Sequence, residues 1–320
     1  MRYHFAMDAV ESVRSPQGWV QVHDFRYPEG YTSVDPENRA RHYCRLLERG
    51  EILLFRDVVK NLPISPELHD VIFGSDHANT SVHKNVSFRP RTGELRGYTG
   101  PGAQLLRDLL AWYSLMLQRF LNNFLSPYAG KYAVDFGSFR PIQAEGRNMP
   151  LHKRDDLLHF DAFPSRPTRG GRILRSFVNL NPSEPRVWEV GEPFHLTAPR
   201  FVDDPTLRAA VNASVFRKLS DTTLATVGVT KGRRSAYDRF MLRFHDLLKE
   251  DSKYQSGTPK RRIEIPPGSA WLVYTDGVPH AVLSGRYALE QTFIVSPDAQ
   301  VDPEATPIRV LERMYGRAMR

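Results

Sequence analysis

The stretch from His159 to Pro182, HFDAFPSRPTRGGRILRSFVNLNP, constrains this chain more than any other. Its second half, Ile173 to Leu180, alternates as a strand does, with successive side chains on opposite faces. Leu174, Val178 and Leu180 share one face, and Ile173, Arg175, Phe177 and Asn179 share the other. A face that mixes Arg and Asn with Ile and Phe suits the inside of a ligand-holding barrel better than a dry core. A buried arginine needs an anionic partner, because an unpaired buried charge is costly. The first half opens with His159-Phe160-Asp161. In an extended segment residues i and i+2 project together, so one imidazole and one carboxylate enter the same space.

A distant histidine would complete a set of three ligands on one face of an Fe(II) octahedron, with three positions left open. His280 is the best placed, beyond the strand-like run Trp271 to Tyr274 and a turn marked by Asp276-Gly277. The chain holds 11 histidines, so an H-x-D can also arise by accident on an ordinary strand. Zinc is the chief rival metal, but neither H-E-x-x-H nor a cysteine cluster supports it.

The run H-F-D-A-F-P-S-R-P-T-x-G-x-R-I-L-R-x-F-x-N resembles the Kdo hydroxylases, Fe(II)- and 2-oxoglutarate-dependent dioxygenases acting on 3-deoxy-D-manno-oct-2-ulosonic acid of lipopolysaccharide. The likeness extends from Gly50-Glu-Ile-Leu-Leu-Phe-Arg56 to the strand around His280. It implies Fe(II), 2-oxoglutarate and O2, with 2-oxoglutarate decarboxylated to succinate and CO2 while C3 of Kdo is hydroxylated. It implies an anionic glycolipid substrate, Kdo-lipid A, and no nucleic-acid partner. Two alternatives stay open: the same machinery on a protein or small molecule, and a basic cupin-like binding protein without catalysis.

The far carboxylate of 2-oxoglutarate would need a cation. In oxygenases of the class the resemblance implies, that cation is an Arg some ten residues after the second histidine or on the strand after H-x-D; here the first window holds Leu289, Glu290 and Gln291, and Arg286 comes too early. Arg175 lies fourteen residues beyond Asp161 on the face of Asn179, so Arg175 and Asn179 are the cosubstrate candidates. Arg172 has the opposite strand parity. Arg140, Lys84 and Arg89 are candidates for the substrate's carboxylate, since arginine grips carboxylates in a fork. Trp188 is either core or a wall of the active-site mouth.

Lys and Arg number 44 against 36 Asp and Glu, a net charge of +8. That favours an anionic partner: nucleic acid, an acidic membrane surface, or a carboxylated or phosphorylated substrate. A single cysteine, Cys44, excludes an internal disulfide framework and suits a reducing compartment. No apolar leader and no run long enough to span a bilayer is evident, so the expected location is cytoplasmic, with peripheral contact at the inner membrane.

The expected fold is α+β: a double-stranded β-helix, jelly-roll or cupin-like, with flanking helices. It forms one domain over residues 1–320, with an N-terminal α/β elaboration over about 1–130 and a helical insertion over about 200–255. Residues 35–50 read as a helix, with an acidic start, a Pro and a terminal Gly. Residues 75–101 read as a loop-rich basic segment. A broad apolar stripe predicts a long helix from Ala103 to Leu125. Residues 195–234 look irregular, and Ser235-Ala-Tyr-Asp238 looks like a capping box opening a helix whose His245 faces outward. Short runs between tight turns predict the returning strands Arg261 to Ile265, Ala270 to Thr275, Pro279 to Leu283 and Tyr287 to Val295.

Overall fold

The computed structural model describes residues 18–74, 85–143, 145, 149–212 and 234–320. Lys84 lies outside them. The strands in chain order are β1 (Val20–Gln21), β2 (Phe25–Arg26), β3 (Gly30–Tyr31), β4 (Leu53–Phe55), β5 (Val86–Arg89), β6 (Glu94–Arg96), β7 (Tyr132–Arg140), β8 (Arg172–Asn179), β9 (Arg186–Val190), β10 (Arg261–Ile265), β11 (Ala270–Tyr274), β12 (His280–Ser284) and β13 (Ala288–Val295). An eight-stranded sheet runs β1-β4-β11-β8-β13-β7-β5-β6, and a three-stranded sheet runs β10-β9-β12. Pairing is antiparallel except between β1 and β4. The protein is thus a mixed α/β fold around one large sheet.

The alternation in β8 sets the layers. Phe177 packs inward on Trp188 of the small sheet and on Trp271, and Val190, Ile263, Ile265 and Val282 close this inner core. Leu174 and Val178 face outward into two further clusters. Helix Ala103–Phe124 covers that outer face through Leu106, Leu109, Leu110, Leu121 and Phe124, as the apolar stripe predicts. Helix Pro36–Glu48 forms where expected, with the Asp35 side chain accepting from the Asn38 N–H and Pro at the first position. Cys44 is buried on it.

Three expectations are revised. The segment read as loop-rich contributes the β5–β6 hairpin, which extends the large sheet beyond β7. Part of the segment read as irregular is helical, at Phe194–Thr197 and at Pro205–Val211, the latter capped by Asp204. Its helix signal is short, and only the Asp204-Pro205 pair announces it. Helix Ala236–Glu250 opens on the foreseen capping box, with Ser235 and Asp238 bonded reciprocally. His245 on that helix is not exposed, however. Its ring meets the ring of His159 edge to face at 5.1 Å.

Candidate metal centre

His159, outside the regular strands, forms an antiparallel bridge with His280 at the start of β12. The His159 N–H donates to the His280 carbonyl (3.2 Å) and the His280 N–H returns the bond to His159 (3.0 Å). Two residues on, the Asp161 N–H donates to the Thr275 carbonyl (2.9 Å), and the Thr275 N–H donates to Ile173 at the head of β8 (3.0 Å). The H-x-D segment therefore bridges the two sheets, and its extended backbone turns His159 and Asp161 the same way. The Nε2 atoms of His159 and His280 each lie 3.9 Å from a different oxygen of Asp161. Among the described residues, these three form the one cluster of ligating side chains that could hold a metal ion, with donor atoms within 4.8 Å of one another.

Both imidazoles are held in the ligand form. A carbonyl can only accept, so Nδ1 of His159 donates to Leu157 (2.7 Å) and Nδ1 of His280 to Val278 (3.1 Å). That fixes the tautomer and leaves each Nε2 lone pair free. Burial lowers the pKa of both rings, and for His159 the neighbouring His280 adds to the effect. Burial opposes ionisation of Asp161, but Arg175, His280 and His159 outweigh it and hold the carboxyl well below its usual range. Its Oδ2 is buried, and no hydrogen bond among the described residues reaches it. Two neutral imidazoles and an ionised carboxylate fit a divalent cation with hard-to-borderline preferences.

Arg175 projects from β8 into the same space. One terminal nitrogen is 3.1 Å from Asp161 Oδ2 and the other 2.9 Å from Glu290 Oε1. Glu290 also accepts from Arg140 Nε (2.7 Å) and from the Ser138 hydroxyl (3.2 Å). Arg140 therefore belongs to a continuous charged network behind the ligands, and its fork already grips a carboxylate. Glu290 was not among the sequence candidates. The available signal was a lone acid in the apolar run Ala288–Val295.

Two further candidates are placed elsewhere. Asn179 shares the inward parity of Arg175, but its amide donates to the carbonyls of Glu184 (3.1 Å) and Ile265 (3.2 Å), and its oxygen accepts from the Asn181 N–H (3.1 Å). It ties the end of β8 to a turn and has no capacity left for a cosubstrate. Trp188 is fully buried and stacks on the His280 ring at 5.1 Å, so it backs the ligand and does not wall a mouth. Arg89 stands 3.5 Å from Glu94 and over the Phe136 ring. It lines a cleft of about 350 Å³ with Arg91, Arg166, Phe163 and Thr168. Sequence reasoning passed over Arg166, which lies between the Phe136 and Phe163 rings (4.1 and 4.4 Å) and also lines the small cavity at Asp161.

Comparison with known proteins agrees with this geometry. The model of the 3-deoxy-D-manno-oct-2-ulosonic acid (Kdo) hydroxylase family matches residues 31–318. A crystal structure of the Kdo hydroxylase KdoO, a non-heme Fe(II) α-ketoglutarate-dependent dioxygenase in complex with succinate and Fe(III), is 33% identical with a TM-score of 0.81; the match covers 95% of this chain and 97% of that one. The same enzyme with α-ketoglutarate and Fe(III) is 32% identical over the same shares of the two chains, with a TM-score of 0.79. No curated protein sequence matches.

Proposed function

This chain belongs to the Kdo hydroxylase family, and from that premise we propose that it adds a hydroxyl at C3 of Kdo carried on lipid A. It is an Fe(II)- and 2-oxoglutarate-dependent dioxygenase. The observation that carries the reading is the convergence of His159, Asp161 and His280 beside Arg175. The three would hold the iron. Bound iron supplies activation of O2, one oxygen atom going into succinate as 2-oxoglutarate loses CO2 and the other into the new C–OH.

The charges behind the ligands favour a dicarboxylate. Arg140 and Arg175 face Asp161 and Glu290, with Asp155 at the edge of the network 4.0 Å from Arg140. A divalent ion adds two positive charges, which the two carboxylates of 2-oxoglutarate cancel. Arg175 would hold the cosubstrate, exchanging part of its contact with Asp161 and Glu290 for the incoming anion. Kdo's carboxylate would enter the cleft of Arg89, Arg91 and Arg166. The exposed Arg91 has no ion pair among the described residues, while Arg166 is held between two rings with one nitrogen 3.2 Å from Asp135, whose contact an incoming carboxylate would share. Fixing that carboxylate fixes which carbon faces the oxidant.

We read the two facing sheets as a double-stranded β-helix within a single domain, elaborated before residue 130 and by helices over about 200–255. No helix among the described residues is long and apolar enough to cross a membrane. The +8 charge suits docking on an acidic membrane at its cytoplasmic face. The test is 2-oxoglutarate turnover with and without Kdo-lipid A, with the product mass measured. Stimulated succinate formation and a product heavier by one oxygen are expected. Unstimulated turnover with unmodified glycolipid would assign the same machinery to another substrate.

A further inference from the structure

A second cavity, of about 630 Å³, lies on the other side of the large sheet. Arg175 points from β8 toward the metal ligands, so its neighbour Ser176 points outward, where its hydroxyl meets Tyr113 (3.2 Å) at the cavity floor. Ala270 and Leu272 of β11 complete that floor. The roof is helix Ala103–Phe124, and along it Trp112, Met116 and Phe120 fall at i, i+4 and i+8 and are only half-buried. Phe25 and Phe55 each meet Phe120 edge to face at 5.4 Å and make a rigid wall. The space is a trough open to solvent on one side, which leaves this apolar lining only partly covered. Its size falls in the roughly 300–1,000 Å³ of small-ligand sites, which combine an apolar lining with a few polar groups.

Charge at the rim narrows the ligand. Arg26 and Arg56 line the cavity, are exposed, and form no ion pair among the described residues. Glu29 is the acid beside them. An apolar trough with two unengaged guanidinium groups complements a molecule with a hydrocarbon chain and an anionic end.

We propose that this cavity binds one acyl chain of an anionic amphiphile, the chain under helix Ala103–Phe124 and the acidic group at Arg26 and Arg56. The site is separate from the metal centre, since the two open on opposite faces of β8. It goes beyond the hydroxylase reading and stands whether or not Kdo is the substrate.

The test is calorimetric titration of the iron-loaded protein with dodecanoate, decanoate, octanoate and the neutral dodecanol, below their micelle concentrations. One saturable site is expected, weakening about fourfold for each methylene removed. Arg26→Ala and Arg56→Ala should each weaken dodecanoate by up to about fivefold, the range of an exposed ion pair, and leave dodecanol unchanged. Met116→Trp should narrow the middle of the trough and weaken dodecanoate more than octanoate. Saturating 2-oxoglutarate should have no effect. The chain-length series in the unaltered protein decides the matter even if a variant fails to fold. Absence of saturable binding, equal affinity for dodecanol and dodecanoate, or competition by 2-oxoglutarate overturns the proposal. So does a concentration-dependent dimer that Met116→Trp dissociates, which would make a second copy of the chain the occupant.

Discussion

Arg172 and Arg175 stand three residues apart on β8, on opposite faces, and do different work. Arg172 is fully buried and has one acidic partner, Asp276, with Nε to Oδ2 at 2.9 Å. It lies over the Tyr274 ring at 4.0 Å, and Gly277 packs so closely that a Cβ there would stand 2.4 Å from the guanidinium. Burial disfavours its charge, but Asp276 holds it ionised. Arg175 is shared between Asp161 and Glu290, and Glu290 is shared again with Arg140 and Ser138. The first arrangement is a buried one-to-one pair joined through Arg172 Nε, with both terminal nitrogens of Arg172 and Asp276 Oδ1 buried without a hydrogen bond among the described residues. The second has partners that a cation and an anion can exchange. Asp276 follows Thr275, whose carbonyl holds Asp161, and precedes His280 by four residues. The buried pair thus pins the turn that positions two metal ligands.

The largest effect should come from breaking the buried pair. Arg172→Met leaves Asp276 buried without its cationic partner, with only hydrogen bonds from Tyr237 and the Ile173 backbone, and should cost about 3–5 kcal/mol of stability, measured by urea unfolding. Adding Asp276→Leu to it should recover much of the loss, and added divalent metal should recover none. Arg175→Met should act differently. Metal-free, it should also unfold more readily, but a divalent ion should restore much of the stability because the ion satisfies Asp161. Its lasting defect should be in 2-oxoglutarate affinity, down by one to two decades for a charged hydrogen bond worth about 1.5–3 kcal/mol. Equal rescue by metal in both variants would erase the distinction. Loss of cosubstrate binding in Arg286→Ala, with Arg175→Met unaffected, would move the anchor to the loop before β13.

The same pair shows what a sequence can carry. Parity along Ile173 to Leu180 separates Arg172 from Arg175 without any structure, because a strand has only two faces. Parity also brings His159 and Asp161 together, and the turn after Tyr274 points to His280. Parity does not give depth along the strand, and so it misjudges Asn179, which faces inward at the wrong end. Trp188 fails for a related reason: an aromatic residue on a short strand reads alike as a wall or as backing. Glu290 and Arg166 are partners chosen by tertiary packing, with no local spacing to betray them. His245 looks exposed on its own helix, and only the docking of that helix against His159 covers most of it. The outer cavity is the reverse case. The stripe on helix Ala103–Phe124 reads as core along its whole length, and only the packing reveals that its middle stretch faces open space.

The smallest effect is a pH dependence that tests whether Glu290 belongs to the open network as a charge. Burial would raise its carboxyl, but Arg140 and Arg175 hold it below its ordinary range. A depressed carboxylate stabilises the fold above the unfolded value of about 4.3, and that contribution fades as the pH falls through the folded value. Each unit of depression corresponds to about 1.4 kcal/mol. Glu290→Gln keeps the shape and removes the charge. The variant should therefore be less stable than the unaltered protein at pH 7, and the gap should narrow as the pH drops from 5 toward 3. Comparing the two proteins at each pH removes the acid sensitivity of groups remote from Glu290. A gap that instead shifts in favour of the unaltered protein as the pH falls toward 4 would mean that Glu290 is protonated in the folded protein at neutral pH, since only the unfolded chain would then release that proton. Arg175 would then have one anionic partner, as Arg172 does, and the contrast between the two faces of β8 would rest on the metal ligands alone.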